Sequence, residues 1–156
     1  MKRLILTIAS GFYTGYFPIV PGTVGSLPAW FLAWFWLGHS QTALVLAAIV
    51  VTIVSIWASG RAEKHLGEDS KKIVIDEWAG TFITLLFLPC RLDVYIAAFA
   101  LFRYFDVIKP FPANWCEKKL PGGWGVTGDD MIAALYANLV SQLGLVILGR
   151  LGWLGF

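Results

Sequence analysis

A chain of 156 residues holds one domain of ordinary size. It is 58% hydrophobic and 15% aromatic but only 14% charged, and its twelve basic and ten acidic residues leave a net charge of +2. So little charge does not cover a soluble globule, and so much apolar content with two cysteines excludes disorder, a fibrous repeat and a secreted disulfide scaffold. The expected fold class is all-α: one integral-membrane domain over residues 1–156, a polytopic helical bundle of about four to five transmembrane helices arranged as hairpins, plus an N-terminal apolar helix.

The N-terminus reads Met1-Lys2-Arg3 and then turns apolar, as a signal peptide does. Residues 11–25 hold no clear small-x-small cleavage site, so the segment is expected to be retained. Residues 4–20 suit either an interfacial helix or a further span. Pro21-Gly22-Thr23-Val24-Gly25-Ser26 then reads as a glycine-rich turn. Its free N–H groups and the Thr23 and Ser26 hydroxyls suit phosphate oxygens, although most such turns are only turns.

Two pairs of apolar arms follow. Residues 27–38 and 43–60 are separated by His39-Ser40-Gln41-Thr42, and residues 79–88 and 94–102 by Pro89-Cys90-Arg91-Leu92-Asp93. Each short polar break reads as the tip of a helical hairpin. The second pair reaches spanning length if it extends into its polar flanks as 71–88 and 92–109, 18 residues each. A last apolar run covers 131–148. Before it, Gly122-Gly123-Trp124-Gly125-Val126 reads as a second glycine-rich turn, with Asp129 and Asp130 starting a helix after Gly128.

Orientation follows from the bases. Arg61, Lys64, Lys71 and Lys72 lie between the hairpins and Arg103, Lys109, Lys118 and Lys119 after them, whereas the tips hold only His39 and Arg91. The positive-inside rule puts the polar segments in the cytoplasm and the tips outside. Trp30, Trp34, Trp36, Trp57 and Trp78 fall near helix ends, as an interfacial belt would. Three polar segments, 21–26, 61–77 and 103–130, then share one face with nine of the ten acids, Asp93 being the exception.

Five of those acids, Asp76, Glu77, Asp106, Asp129 and Asp130, would repel one another unless something positive sat among them. Hard oxygen ligands with no His or Cys pair nearby favour Mg²⁺, Mn²⁺ or Ca²⁺ over zinc. Neighbours on a helix point about 100° apart, so one of each pair is expected to bind metal while the other caps the helix or orients a base. The competing reading is that these acids cap helix N-termini and complement the macrodipole. Arg103-x-x-Asp106-x-x-Lys109 lets Arg103 touch Asp106 on a helix that Pro110 and Pro112 end. Arg103 and Lys109 either grip phosphate oxygens or form an interfacial ion pair and a snorkelling lysine.

Other chemistry lacks residues. Cys90 and Cys116 have no metal-type spacing and read as unpaired thiols; His39 is expected outside and His65 in a charged connector, which leaves covalent Cys or Ser–His catalysis without a base. No Walker loop or dinucleotide fingerprint occurs, and no basic stripe supports nucleic-acid binding.

Taken together, Pro-Gly-Thr-x-Gly-Ser at 21–26, Ile-Asp-Glu-x-x-Gly at 75–80, Arg-x-Phe-Asp-x-x-Lys-Pro-x-Pro at 103–112, Gly-Gly-x-Gly-Val at 122–126 and Asp-Asp at 129–130 closely resemble the phosphatidylglycerophosphatase A family of bacterial inner-membrane lipid phosphatases. The resemblance covers roughly residues 10–140; Thr127-Gly128 departs from the bulkier apolar residues expected before the Asp pair. It implies Mg²⁺-dependent removal of the terminal phosphate of phosphatidylglycerophosphate at the cytoplasmic face, leaving phosphatidylglycerol and phosphate. Carried over, Asp76, Glu77, Asp106, Asp129 and Asp130 are the implied catalytic and metal-binding acids, and Thr23, Ser26, Arg103 and Lys109 the implied phosphate-binding positions. The implied partners are a membrane phospholipid and the bilayer. An aspartyl-phosphate intermediate and direct water attack both fit the spacing, as do one metal ion or two, and nothing in the sequence marks an oligomeric state.

Two rivals stay open: a phosphatase for another lipid phosphate, and a non-catalytic lipid-binding or transport protein. Transport calls for charges at the midplane, and residues 43–60, 79–88 and 131–148 carry none, which favours an interfacial enzyme.

Overall fold

Seven α-helices carry the fold in the computed structural model, which describes residues 2–67 and 70–151. In chain order they are α1 (Lys2–Ala9), α2 (Pro21–Leu32), α3 (Gln41–Leu66), α4 (Ile75–Leu85), α5 (Leu92–Ile108), α6 (Ala113–Lys119) and α7 (Gly123–Arg150). No strand occurs among the described residues, in agreement with the all-α expectation. A one-turn 3-10 segment, Thr14–Tyr16, follows α1, and a π turn, Ala33–Leu37, closes α2.

Length separates these helices. α3 has 26 residues and α7 has 28, about 39 and 42 Å at 1.5 Å per residue, and both are long and apolar enough to cross a bilayer. The Ser40 hydroxyl starts α3 by accepting the Ala43 N–H (3.4 Å), and Lys64 and His65 complement the dipole at its end. By contrast α1 has eight residues, about 12 Å, too short to span, so residues 4–20 form no crossing helix. α4 has 11 residues rather than the arm expected over 71–88.

Both glycine-rich segments are helix rather than turn. Pro21 occupies the first position of α2, where its missing N–H costs nothing, and 22–26 continue the helix. Gly123 opens α7, so Gly123-Trp124-Gly125-Val126 is its first turn. Glycine is there for close approach. A Cβ on Gly123 would overlap the Ile56 carbonyl oxygen, and one on Gly60 would lie 2.9 Å from the Gly123 nitrogen. α3 and α7 thus meet backbone to backbone, as small residues allow where lipid supplies no hydrophobic drive between helices. Four residues on from Gly123, the buried hydroxyls of Ser55 and Thr127 share a hydrogen bond of 2.7 Å.

The other helices are tied in by single polar groups. Trp78 Nε1 donates to the Gly25 carbonyl (2.7 Å), joining α4 to α2, and Trp30 Nε1 donates to the Tyr95 carbonyl (3.2 Å), joining α2 to α5. From α7, Asn138 Nδ2 donates to the Thr84 and Leu86 carbonyls (2.9 and 2.7 Å), groups that the C-terminus of α4 leaves free. Gln41 holds the 86–91 connection to the start of α3, accepting the Phe87 N–H (2.9 Å). Outward, α3 exposes Leu46, Ile49, Val50 and Ile53, and α7 exposes Leu135, Leu139, Leu143 and Val146. An apolar exterior around a polar-stitched interior suits lipid as the solvent.

Gly123→Ala is expected to force α3 and α7 apart and to lower stability by roughly 1–3 kcal/mol. Thermal unfolding in detergent checks this, and an unchanged midpoint would deny the close crossing.

Candidate active site

A cleft of about 720 Å³ opens at the end of the bundle where α2, α4 and α7 begin and α3 and α5 finish. Asp76, Glu77, Asp106, Asp129 and Asp130 all border it, together with Arg103 and Lys109. Seven of the nine expected site residues are therefore brought together from three helices and one helix cap. Glu68 and Asp69, expected on the same face, lie outside the described residues.

All four paired acids face one cleft, and each pair divides: Glu77 meets Arg103 and Asp129 meets Lys109, whereas Asp76 and Asp130 have no cationic partner among the described residues. Asp76, Glu77, Asp129 and Asp130 are each less than a tenth exposed, and all four border the cleft. The cleft wraps a wide enough arc of α4 and α7 to take both neighbours of each pair. Asp129 and Asp130 are the seventh and eighth residues of α7, a full turn beyond its free N–H groups, so helix capping does not account for them. Asp76 and Glu77 do sit in the first turn of α4, where their charge complements the dipole; Asp76 Oδ1 accepts the Glu77 N–H (3.0 Å).

Two cations hold this floor together. Arg103 Nη1 bonds Glu77 Oε2 and lies 3.1 Å from Asp106 Oδ2, the contact expected from the i, i+3 spacing. The arrangement needs glycine at position 22, because a Cβ there would overlap Glu77 Oε1 and lie 2.8 Å from Arg103 Nη2. Nη2 lies at the cleft wall beside Gly22, and among the described residues the buried Nε has no hydrogen-bond partner.

Lys109 is neither snorkelling nor free. It caps α5 in the left-handed region (φ 47°), which turns its side chain back, and Nζ bonds Asp129 Oδ2 (2.7 Å) and Glu117 Oε1 (2.5 Å). Burial opposes the Lys109 charge, but Asp129 and Glu117 outweigh it and hold the ammonium above its ordinary range. Glu117 was not among the expected site residues. Its signal lay in the seven residues after Pro112, which form α6 and end in Lys118-Lys119, basic residues favoured in a last helical turn.

Thr23 and Ser26 do not line the cleft themselves, although the Ser26 hydroxyl sits beside Glu77. The 21–26 segment is the start of α2 rather than a separate turn, and Pro21 and Gly22 bring that helix N-terminus to the cleft. The buried Ser26 hydroxyl donates to the Gly22 carbonyl (2.8 Å) inside α2.

Asp76 and Asp130 stand apart from the other acids. Among the described residues neither has a cationic partner, and each lies within Coulomb range of the other and of Asp129 and Asp106. No three His, Cys, Asp or Glu side chains among the described residues converge into a ready-made metal cage. Magnesium does not ask for one: it commonly takes one or two carboxylates and fills its octahedron with water and substrate phosphate oxygens. An all-oxygen donor set with two unpaired carboxylates fits that demand.

Comparison with known proteins bears on the same residues. A family model described as phosphatidylglycerophosphatase A matches residues 7–145. A Bacteroides thetaiotaomicron protein with the provisional name phosphatidylinositol-3-phosphatase is 38% identical, over 96% of this chain and 100% of its own length. Proteins named phosphatidylglycerophosphatase A are each 36% identical: that of Escherichia coli over 82% of this chain and 76% of its own, and that of Haemophilus influenzae over 85% and 83%. No solved structure matches.

Arg103→Gln strands the buried Glu77 and the half-buried Asp106 and is expected to cost about 3–5 kcal/mol, whereas Glu77→Gln leaves Arg103 on Asp106 and costs less. Unfolding of the two variants in detergent tests the order, and equal losses would mean that Arg103 does not bridge.

Proposed function

The chain belongs to the phosphatidylglycerophosphatase A family, and on that premise we propose that it hydrolyses the terminal phosphate of phosphatidylglycerophosphate to give phosphatidylglycerol and inorganic phosphate. The observation that carries the reading is the pair of buried carboxylates without a cationic partner among the described residues, Asp76 and Asp130, in one cleft with the guanidinium of Arg103. A dianionic phosphoryl group enters such a floor only when positive charge meets it.

Asp76 and Asp130 are the residues that would hold a magnesium ion, with Asp106 and Asp129 bordering the same space. Bound there, magnesium supplies Lewis-acid stabilisation of the phosphoryl oxygens and a more acidic water. The chain's own groups do the rest. Arg103 presents Nη2 to a phosphoryl oxygen as its charge grows, and Glu77 and Asp106 fix the guanidinium in place. Glu117 and Lys109 fix Asp129. Water attacks phosphorus, the bond to the headgroup oxygen breaks, and that oxygen leaves protonated as the product alcohol.

The substrate keeps its acyl chains in the bilayer, so the cleft belongs at a membrane face. The bases gathered around the cleft support the cytoplasmic face of the bacterial inner membrane. The reading has four to five crossings, of which α3 and α7 are long enough by themselves, with the charged ends at the interface.

A second substrate is favoured by the name of the Bacteroides relative. Phosphatidylinositol 3-phosphate and phosphatidylglycerophosphate share one chemistry, a phosphate monoester on a polyol that a phosphodiester links to the lipid.

Detergent-purified protein is expected to release phosphate from phosphatidylglycerophosphate with Mg²⁺ and to stop in excess EDTA. Release that persists in EDTA would remove the metal, and release from phosphatidylinositol 3-phosphate alone would exchange the substrate. Asp130→Asn, nearly isosteric, is expected to lose more than about 100-fold in kcat while staying folded. Near-normal turnover would remove Asp130 from the site.

A further inference from the structure

Four cations border the cleft: Lys71, Arg103, Lys109 and Lys118. Arg103 is engaged by Glu77 and Asp106, and Lys109 by Glu117 and Asp129. Lys71 and Lys118 are exposed, and no anionic partner meets either among the described residues. The cleft therefore has two electrostatic levels, a buried anionic floor and a mouth where Lys71 and Lys118 outnumber the half-buried Glu63.

Resting on the lipid-phosphatase reading above, we propose that Lys71 and Lys118 form a second anion subsite, which receives the phosphodiester of the substrate while the floor takes the monoester. At about 720 Å³ the cleft is in the range that encloses a drug-sized ligand, far more than a single phosphate needs. A diester carries one diffuse charge and lies on the acyl side of the headgroup, so it belongs at the mouth. The exposed apolar residues Val20 and Val107 border the cleft as well, on the way to lipid. A lysine, a point charge on a flexible stem, suits a diester whose position shifts with the polyol between the two phosphates, whereas the held guanidinium of Arg103 suits the fixed monoester. The subsite thus selects lipids that carry a phosphate on each side of a polyol.

The two products separate the two levels, since phosphatidylglycerol keeps only the diester and inorganic phosphate represents only the monoester. The full chain in mixed micelles is compared with the Lys71→Gln/Lys118→Gln and Lys71→Arg/Lys118→Arg double variants. For the glutamine variant, KM and the inhibition constant of phosphatidylglycerol are expected to rise about tenfold. Its kcat and inhibition by inorganic phosphate are expected to stay unchanged, and the arginine variant to stay near wild type. If inhibition by inorganic phosphate weakens equally, the lysines only attract anions at large and the subsite is overturned; unchanged KM and phosphatidylglycerol inhibition overturn it too. A wild-type chain that released no phosphate would defeat the activity reading alone. Direct binding of phosphatidylglycerol, weaker to the glutamine variant, would still uphold the subsite, and equal binding would overturn it.

Discussion

The crowding of acids at one end of an apolar bundle is the constraint that shapes this protein. Seven carboxylates border one cleft, four of them buried, and two cations hold four of the seven. Arg103 joins the start of α4 to the end of α5 through Glu77 and Asp106, and Lys109 joins the end of α5 to α6 and α7 through Glu117 and Asp129. Buried charges bring a desolvation cost that only close pairing offsets, so such bonds specify geometry more than they add stability. The same bonds leave Asp76 and Asp130 without a cationic partner among the described residues, and this residual charge is the basis of the proposed metal and phosphate site.

Holding a charged cleft at the end of a lipid-facing bundle requires backbones to approach closely. Glycines do this at two levels. Gly60 and Gly123 let α3 and α7 touch, and Gly22 leaves room for the Glu77–Arg103 pair against α2. Away from the cleft, polar side chains cap what short helices leave open, as Asn138 does for the end of α4. α4, only 11 residues long, can carry Asp76 and Glu77 because α2 and α7 cover its free backbone groups and its sides.

In the reading proposed here, floor and mouth divide the recognition of a lipid headgroup. Buried, geometrically fixed groups would face the bond that breaks, and exposed lysines the part of the headgroup that varies. Such a division would suit relatives whose names specify different headgroups, because a phosphate monoester is common to both.

Much of this was legible from residue type and spacing. Composition pointed to a membrane-type chain, since 14% charge does not cover a soluble globule, and apolar runs such as 43–60 and 131–148, longer than a barrel strand needs, pointed to helices. The contact of Arg103 with Asp106 followed from helical periodicity, and the grouping of Asp76, Glu77, Asp106, Asp129 and Asp130 from the matching of apolar arms. Tertiary structure decided the rest. Glycine at 22, 123 and 125 serves packing rather than turning, a distinction that exists only when another segment lies against it; hence Thr23 and Ser26 lie in the first turns of a helix rather than in a separate turn. The partnership of Lys109 with Glu117, and the solitude of Asp76 and Asp130, depend on which charges from distant segments meet in the low-dielectric end of the bundle. Periodicity constrains neighbours three and four residues apart, whereas pairing across helices is set by how the backbones pack.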